Sequence, residues 1–466
     1  MRCMGSIPPT PPDTDMDELT TDVQAPGRPR LLLRLAGAPI IPMGTLSGVG
    51  LPEGVAWANW FAFYNALSWS VVLGAPLYLF AKYLGAGDGL LGLVAALPPL
   101  LAVLHIPGNH LIPKLGYRRM VLWGWMSRTV AIAFIAIIPL AISQRGIGLT
   151  VLILLLIIFS GCRGLAGGAW MPWLSTIVPT DVRGKFFLRD QLFGQTGNVL
   201  ALLLVTAIFK FIQGPAAFSI AFALATAGGV SSVLCLTAVP DATDLDLHAQ
   251  AGSRIPFAKM LAAKPFRLLC IFNIVYMLVM GSLVVFTVAY LRDVAKLPPS
   301  EIIGLTAFST LGGAASLFWC GQVVNKIGAR PILTASLIVS IAVFLCWFLV
   351  AAELIPPRLP VLGFIYLISG IASINFAAAN NHMQSVSVPQ IGRNHHFALL
   401  LVLLNLAAGV SPLAWGLVLE AIGNNRIHLF DLDITRYAVL FVSCAGLLML
   451  VLTMLRRLDI HRPETK

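Results

Sequence analysis

Apolar residues run through this chain in unbroken blocks, not at the spaced positions of a soluble amphipathic helix. Between short polar interruptions the blocks fall at 57–82, 87–108, 119–142, 147–174, 190–212, 216–239, 267–291, 300–320, 331–352, 360–385, 394–421 and 435–455. Each approaches or exceeds the roughly 20 residues that cross a bilayer. The pattern predicts an all-α integral membrane protein with twelve transmembrane helices. The first block is preceded by "PPTPPDTDMDELTTDVQ", which is polar and proline-rich and has no secretory-signal character. Residues 1–54 are therefore expected to form a disordered cytoplasmic tail, with "RPRLLLRL" lying on the membrane surface.

Composition agrees with the pattern: 58% of the 466 residues are hydrophobic, 11% are charged, and the mean hydropathy is +0.86. Six of the seven cysteines fall inside expected spans and none forms a CxxC pair, so neither a disulfide framework nor a zinc site is indicated. No cofactor is expected. The net charge of +11 is not gathered into a patch that would suit nucleic acid. Instead, Lys and Arg concentrate in the tails and alternate loops. The opposite loops hold only Lys82, Arg145, Lys210, Arg292, Lys296, Arg358, Arg426 and Arg436. The positive-inside rule then puts both termini in the cytoplasm.

Two short basic turns break the apolar pattern in a related way. "NHLIPKLGYRR" begins at Asn109 and "GQVVNKIGARP" at Gly321. An offset of 212 joins Lys114 to Lys326, Gly116 to Gly328 and Arg118 to Arg330, and also Gly92 to Gly304, Tyr78 to Tyr290 and Tyr64 to Tyr276. Later, "VPTDVRGKFF" and "VPQIGRNHHF" match at an offset of 210. Six spans per repeat give both copies the same orientation, so the halves are expected to be related by an axis along the membrane normal. The expected units are a six-helix bundle at 55–240, a polar cytoplasmic loop at 241–264, a second bundle at 265–458 and a tail at 459–466.

The turns resemble those of the major facilitator superfamily, whose loop between helices two and three follows G-x-L-x-D-[RK]-x-G-x-[RK]-[RK], with a weaker copy between helices eight and nine. Lys114, Gly116, Arg118 and Arg119 match the first copy; Gly321, Asn325, Lys326, Gly328 and Arg330 match the second. The pattern departs at Asn109 and Pro113, and Asn325 replaces the second aspartate, so a carboxylate that anchors the family's cytoplasmic gate is missing from both halves. "RGLAGGAW" at 163–170 resembles the family's fourth-helix motif, with Ala166 in place of Gln. The paired-glycine signature of drug exporters is absent from the fifth helix, although "AGVSPLAWG" at 408–416 carries a Gly and Pro pattern.

The resemblance implies that helices one, four, seven and ten line a central path. On these lie Asn59, Tyr64, Asn65, Ser68, Arg163, Asn273, Tyr276, Asn375, Asn380 and Asn381. Tyr64 and Tyr276, being repeat equivalents, are expected to face each other across it. Arg128 stands ten residues past Arg118, about 15 Å into the membrane, and Arg163 lies at similar depth. An arginine there costs at least about 2.5–3.5 kcal/mol unless it faces a partner or a wet cavity. Every acidic residue falls in a tail, a loop or near a helix end, so no buried acid is expected to balance the arginines. The missing counter-charge then arrives with a substrate carboxylate or phosphate. His382 and Arg128 are candidates for coupling to protons or another co-transported ion.

These features predict a monomeric transporter that moves a small solute, an organic anion, through the cytoplasmic (inner) membrane by alternating access. A membrane assembly factor or sensor on the same fold, and a proton-coupled drug or metabolite exporter, are the alternatives. An enzyme is not expected: the acidic run "DATDLD" at 241–246 occurs once and reads as a solvated linker, and no catalytic motif appears.

Overall fold

The computed structural model describes residues 54–179, 182–241, 257–388, 393–423, 427–429 and 432–457. The N-terminal tail, "RPRLLLRL", "DATDLD" beyond Asp241 and the C-terminal tail lie outside the described residues.

Twelve long helices follow one another: α1 (Trp57–Tyr83), α2 (Asp88–Asn109), α3 (Tyr117–Ala141), α4 (Arg145–Ile177), α5 (Arg183–Phe211), α6 (Pro215–Ala238), α7 (Lys264–Asp293), α8 (Pro299–Ile327), α9 (Ala329–Ala351), α10 (Leu359–Ser387), α11 (Arg393–Ile422) and α12 (Arg436–Leu455). They form two six-helix bundles whose packing repeats. α1 packs on α5 and α6 as α7 packs on α11 and α12; α3 packs on α4 and α6 as α9 packs on α10 and α12. Several helices outrun their apolar blocks, because polar ends emerge from the membrane while the backbone hydrogen bonding continues. α5 begins at Arg183 instead of 190, and α8 runs to Ile327 instead of 320.

The second basic turn is therefore shorter than expected. Gly321, Asn325 and Lys326 belong to the last turns of α8, and the chain reverses only at Gly328. Gly116 and Gly328 have φ of 76° and 82° and precede the first residues of α3 and α9. A side chain at either would be strained, which is why the repeat keeps glycine there. The loop expected at 241–264 also contains a short helix, Phe257–Ala262, and α7 starts at Lys264. One strand pair, β1 (Ile427–Leu429) and β2 (Leu432–Ile434), forms an antiparallel hairpin between α11 and α12 that the hydropathy pattern did not show.

Helices of the first bundle are interrupted where the sequence supplies breakers. α1 breaks at Leu73–Gly74 ahead of Pro76, α2 gives way after Pro98 and Pro99 to a tighter turn at Leu101–Leu104, and α4 breaks at Gly168–Ala169. A proline lacks the N–H that an interior turn needs. α7 and α10 of the second bundle run for 30 and 29 residues without a break.

The bundles meet along α2 with α11 and α5 with α8. The repeat-related glycines stand at these two seams: a Cβ on Gly92 would strike the Pro412 carbonyl of α11, whereas one on Gly304 would sit 3.5 Å from Thr206 of α5. Gly92→Ala should therefore lower stability by about 1–3 kcal/mol through overpacking, while Gly304→Ala should be near neutral. Melting temperatures of the two purified variants in detergent check this, and equal shifts would contradict the asymmetric fit.

Candidate functional site

Two arginines lie near mid-membrane in the first bundle. Arg128 of α3 is 1% exposed and donates to the Asn65 Oδ1 of α1, which also accepts from Trp125 Nε1 at 3.1 Å. Its guanidinium lies 5.0 Å from the Trp125 ring and 5.8 Å from Phe159. Arg128 is thus enclosed by its own bundle. Arg163 of α4 is only half-buried. It lies 4.4 Å from the Trp69 ring and makes a long 3.5 Å contact to the Pro98 carbonyl, where α2 breaks. The two guanidiniums are close enough to repel each other. Among the described residues no carboxylate pairs with either.

Small residues of "RGLAGGAW" let α4 approach its neighbours. Gly164 packs on the Leu101 carbonyl, Gly167 on the His105 ring and Gly168 on Asn109, all in the broken part of α2, while Ala166 abuts Gly124 of α3. This packing fixes Arg163 beside the α2 break.

In the second bundle, Asn273 of α7 is fully buried. Its Oδ1 accepts from Asn380 Nδ2 at 2.7 Å and Gln384 Nε2 at 3.2 Å, both on α10, and its Nδ2 donates to the Leu269 carbonyl. Tyr276 stacks on Phe376 at 3.7 Å and 14°. Asn375 accepts from Ser316 at 3.2 Å, and Asn381 and His382 are exposed. Tyr64 is half-buried, stacked with Trp60 and edge-on to Phe63. Tyr64 and Tyr276 each stack on a ring of their own half. Ser68 is buried with no partner for its hydroxyl. Asn59 is also buried and lies beside Asp190 of α5.

At the basic turns, Arg118 donates to the Thr237 carbonyl at the end of α6, and Arg330 to the Arg456 carbonyl just past α12. Each arginine satisfies a terminal carbonyl of its own bundle, as cations do at helix C-termini. Lys114 and Arg119 are exposed. The side chains of Asn325 and Lys326 lie outside the described residues.

The opposite end holds a cluster that sequence reasoning missed. Lys82, at the end of α1, reaches Asp88 at 2.9 Å and Asp293 of α7 at 2.6 Å. Arg436 of α12 reaches Asp88 at 2.9 Å, and the Tyr437 hydroxyl donates to Asp88 at 3.1 Å. The Asp88 side chain is 1% exposed. Among the described residues no buried acid balances Arg128 or Arg163, but an acid is buried elsewhere: Asp88 starts a helix, as the sequence indicates, and the two halves close over it. In the sequence Lys82 and Arg436 carry only an orientation signal, whereas their pairing with Asp88 and Asp293 spans helices from both repeats. No sequence spacing could have revealed it.

A family model described as Major Facilitator Superfamily matches residues 59–352 and 299–466. No curated protein sequence matches the chain. Among solved structures, a point mutant of the nucleoside transporter NupG is 14% identical, with a TM-score of 0.67, covering 87% of this chain and 100% of that one. The D-xylose-proton symporter is also 14% identical, with a TM-score of 0.68 and coverages of 86% and 96%. A bacterial homologue of the iron transporter ferroportin in an inward-facing state has 15% identity and a TM-score of 0.62, with coverages of 87% and 98%. Identities this low carry the fold alone, but the family model spans nearly the whole helical region, and the chain belongs to the major facilitator superfamily.

Proposed function

We propose that this multi-pass membrane protein transports a small organic anion by alternating access, holding it beside Arg163, in the cytoplasmic membrane as a monomer with both termini inside. The observation that carries the reading is the charge at mid-membrane. Arg128 is already engaged by Asn65 and two rings, whereas half-buried Arg163 has only the Trp69 face and one long carbonyl contact among the described residues. A guanidinium so placed has donors left for a carboxylate or phosphate fork. The repulsion between the two arginines is relieved when that negative charge arrives.

Alternating access also needs a closure that can open, and the Asp88 cluster supports it. Its ion pairs join the first bundle to the second at the end opposite the basic turns, with opposing charges in balance. A buried carboxylate left without its cations is unfavourable by several kcal/mol, so the closed form is favoured only while all partners meet. Opening exposes the same charges to water, which offsets the lost pairs.

Two outcomes are expected. A bound anion at about 100 times its Kd should stabilise the purified protein by ~2.7 kcal/mol, and Arg163→Gln should lose that gain. Thermal unfolding against matched anionic, neutral and cationic metabolites reads this, and equal stabilisation of both forms by a cation would end the anion reading. Asp88→Asn should shift the population toward a form parted at the outer end, because Lys82 and Arg436 lose their shared acceptor. Spin-label distances between Ser143→Cys and Leu354→Cys should lengthen in the variant; an unchanged distribution would remove the closure role.

A further inference from the structure

Three buried polar atoms at the inner end of the first bundle lack partners although they are neighbours. Asn59 is 1% exposed, and neither its Nδ2 nor its Oδ1 has a well-formed hydrogen bond; Oδ1 of Asp190, on the α5 helix packed against α1, is equally unpartnered. Orphaned buried groups of this kind are rare, because each forfeits the hydrogen bonds it would make in water. Asp190 is seven residues into α5, about 10 Å from its start, facing α1 in a setting where the Trp60 and Phe193 rings meet at 5.1 Å.

Among the described residues no cation is at hand. Arg183 donates to the Ser175 and Val178 carbonyls, and Arg189 lies over the Phe193 ring at 5.2 Å. The helices packed on α5 are α1, α6 and α8. Their titratable residues at this end are Tyr64 on α1, Cys235 and the following Asp241 on α6, and Cys320 and Lys326 on α8, the last two with side chains outside the described residues.

One chemistry satisfies the set. A carboxylic acid and a primary amide form a reciprocal pair: the acid O–H donates to the amide oxygen while the amide N–H donates to the acid carbonyl. Such a pair needs a proton on Asp190. We propose that Asp190 and Asn59 together form a proton-binding site, with the proton carried on the carboxyl and lost when water reaches the inner end of α5. This is independent of the solute's identity and of the anion site at Arg163.

The test uses the full chain in detergent or reconstituted membranes. Infrared difference spectra between about pH 8 and about pH 5 should contain a protonated-carboxyl C=O band that is absent in Asp190→Asn and shifted in Asn59→Leu. A group protonated in the fold but ionised in the unfolded chain stabilises as pH falls. The melting temperature of wild type relative to Asp190→Asn should therefore rise by several degrees across that window, since the variant keeps a neutral amide pair at every pH. No band assignable to Asp190, or a parallel pH response of the two proteins, would overturn the proposal and leave an ionised Asp190 with Asn59 satisfied by water. Either result leaves the Arg163 experiment untouched.

Discussion

Asp88 is the point on which the conformation of this protein turns. Its carboxylate accepts from Lys82 on its own side and from Arg436 and Tyr437 on the other, and Lys82 reaches on to Asp293. A charge in that position is tolerable only because partners from both bundles surround it. Beneath it Gly92 of α2 presses against the α11 backbone at Pro412 and Gly416. Close backbone contact sets how near the bundles come, and the ion cluster sets at which end they meet.

The fold was legible because a bilayer allows few solutions. Chain that must satisfy its backbone in hydrocarbon forms helices, and twelve apolar blocks leave little choice. The register that joined Gly116 to Gly328 and Arg118 to Arg330 returned in the structure as similar glycine dihedrals and matching arginine-to-carbonyl contacts. Helix ends were less legible, since hydropathy marks where the membrane stops and hydrogen bonding marks where the helix stops. The β1–β2 hairpin eluded the reading because two short segments of mixed polarity carry no periodic signal of length.

The candidate site was legible residue by residue and not as a constellation. Depth alone singled out Arg128 and Arg163, but only packing separates them: Trp125, Phe159 and Asn65 enclose the first, while the break at Pro98 leaves the second half-open. Asn273 and Asn380 stood out as polar residues in apolar helices, and they are partners to each other. The burial of Asp88 and of the Asp190 Oδ1 is not legible in sequence, for one physical reason. An acid near a helix end looks solvated in a sequence, and whether neighbouring helices cover it depends on contacts far apart along the chain.

The breaks in α1, α2 and α4 have no counterpart in α7 and α10. An unbroken helix carries a push at one end to the other as a strut, whereas an interrupted one absorbs it at the break. The repeat has thus given two bundles of similar outline and unlike mechanics: one is stiff, and the other can flex around the half-open arginine. Any rearrangement around Arg163 can be local to its own bundle, with the second bundle serving as the fixed wall against which it moves.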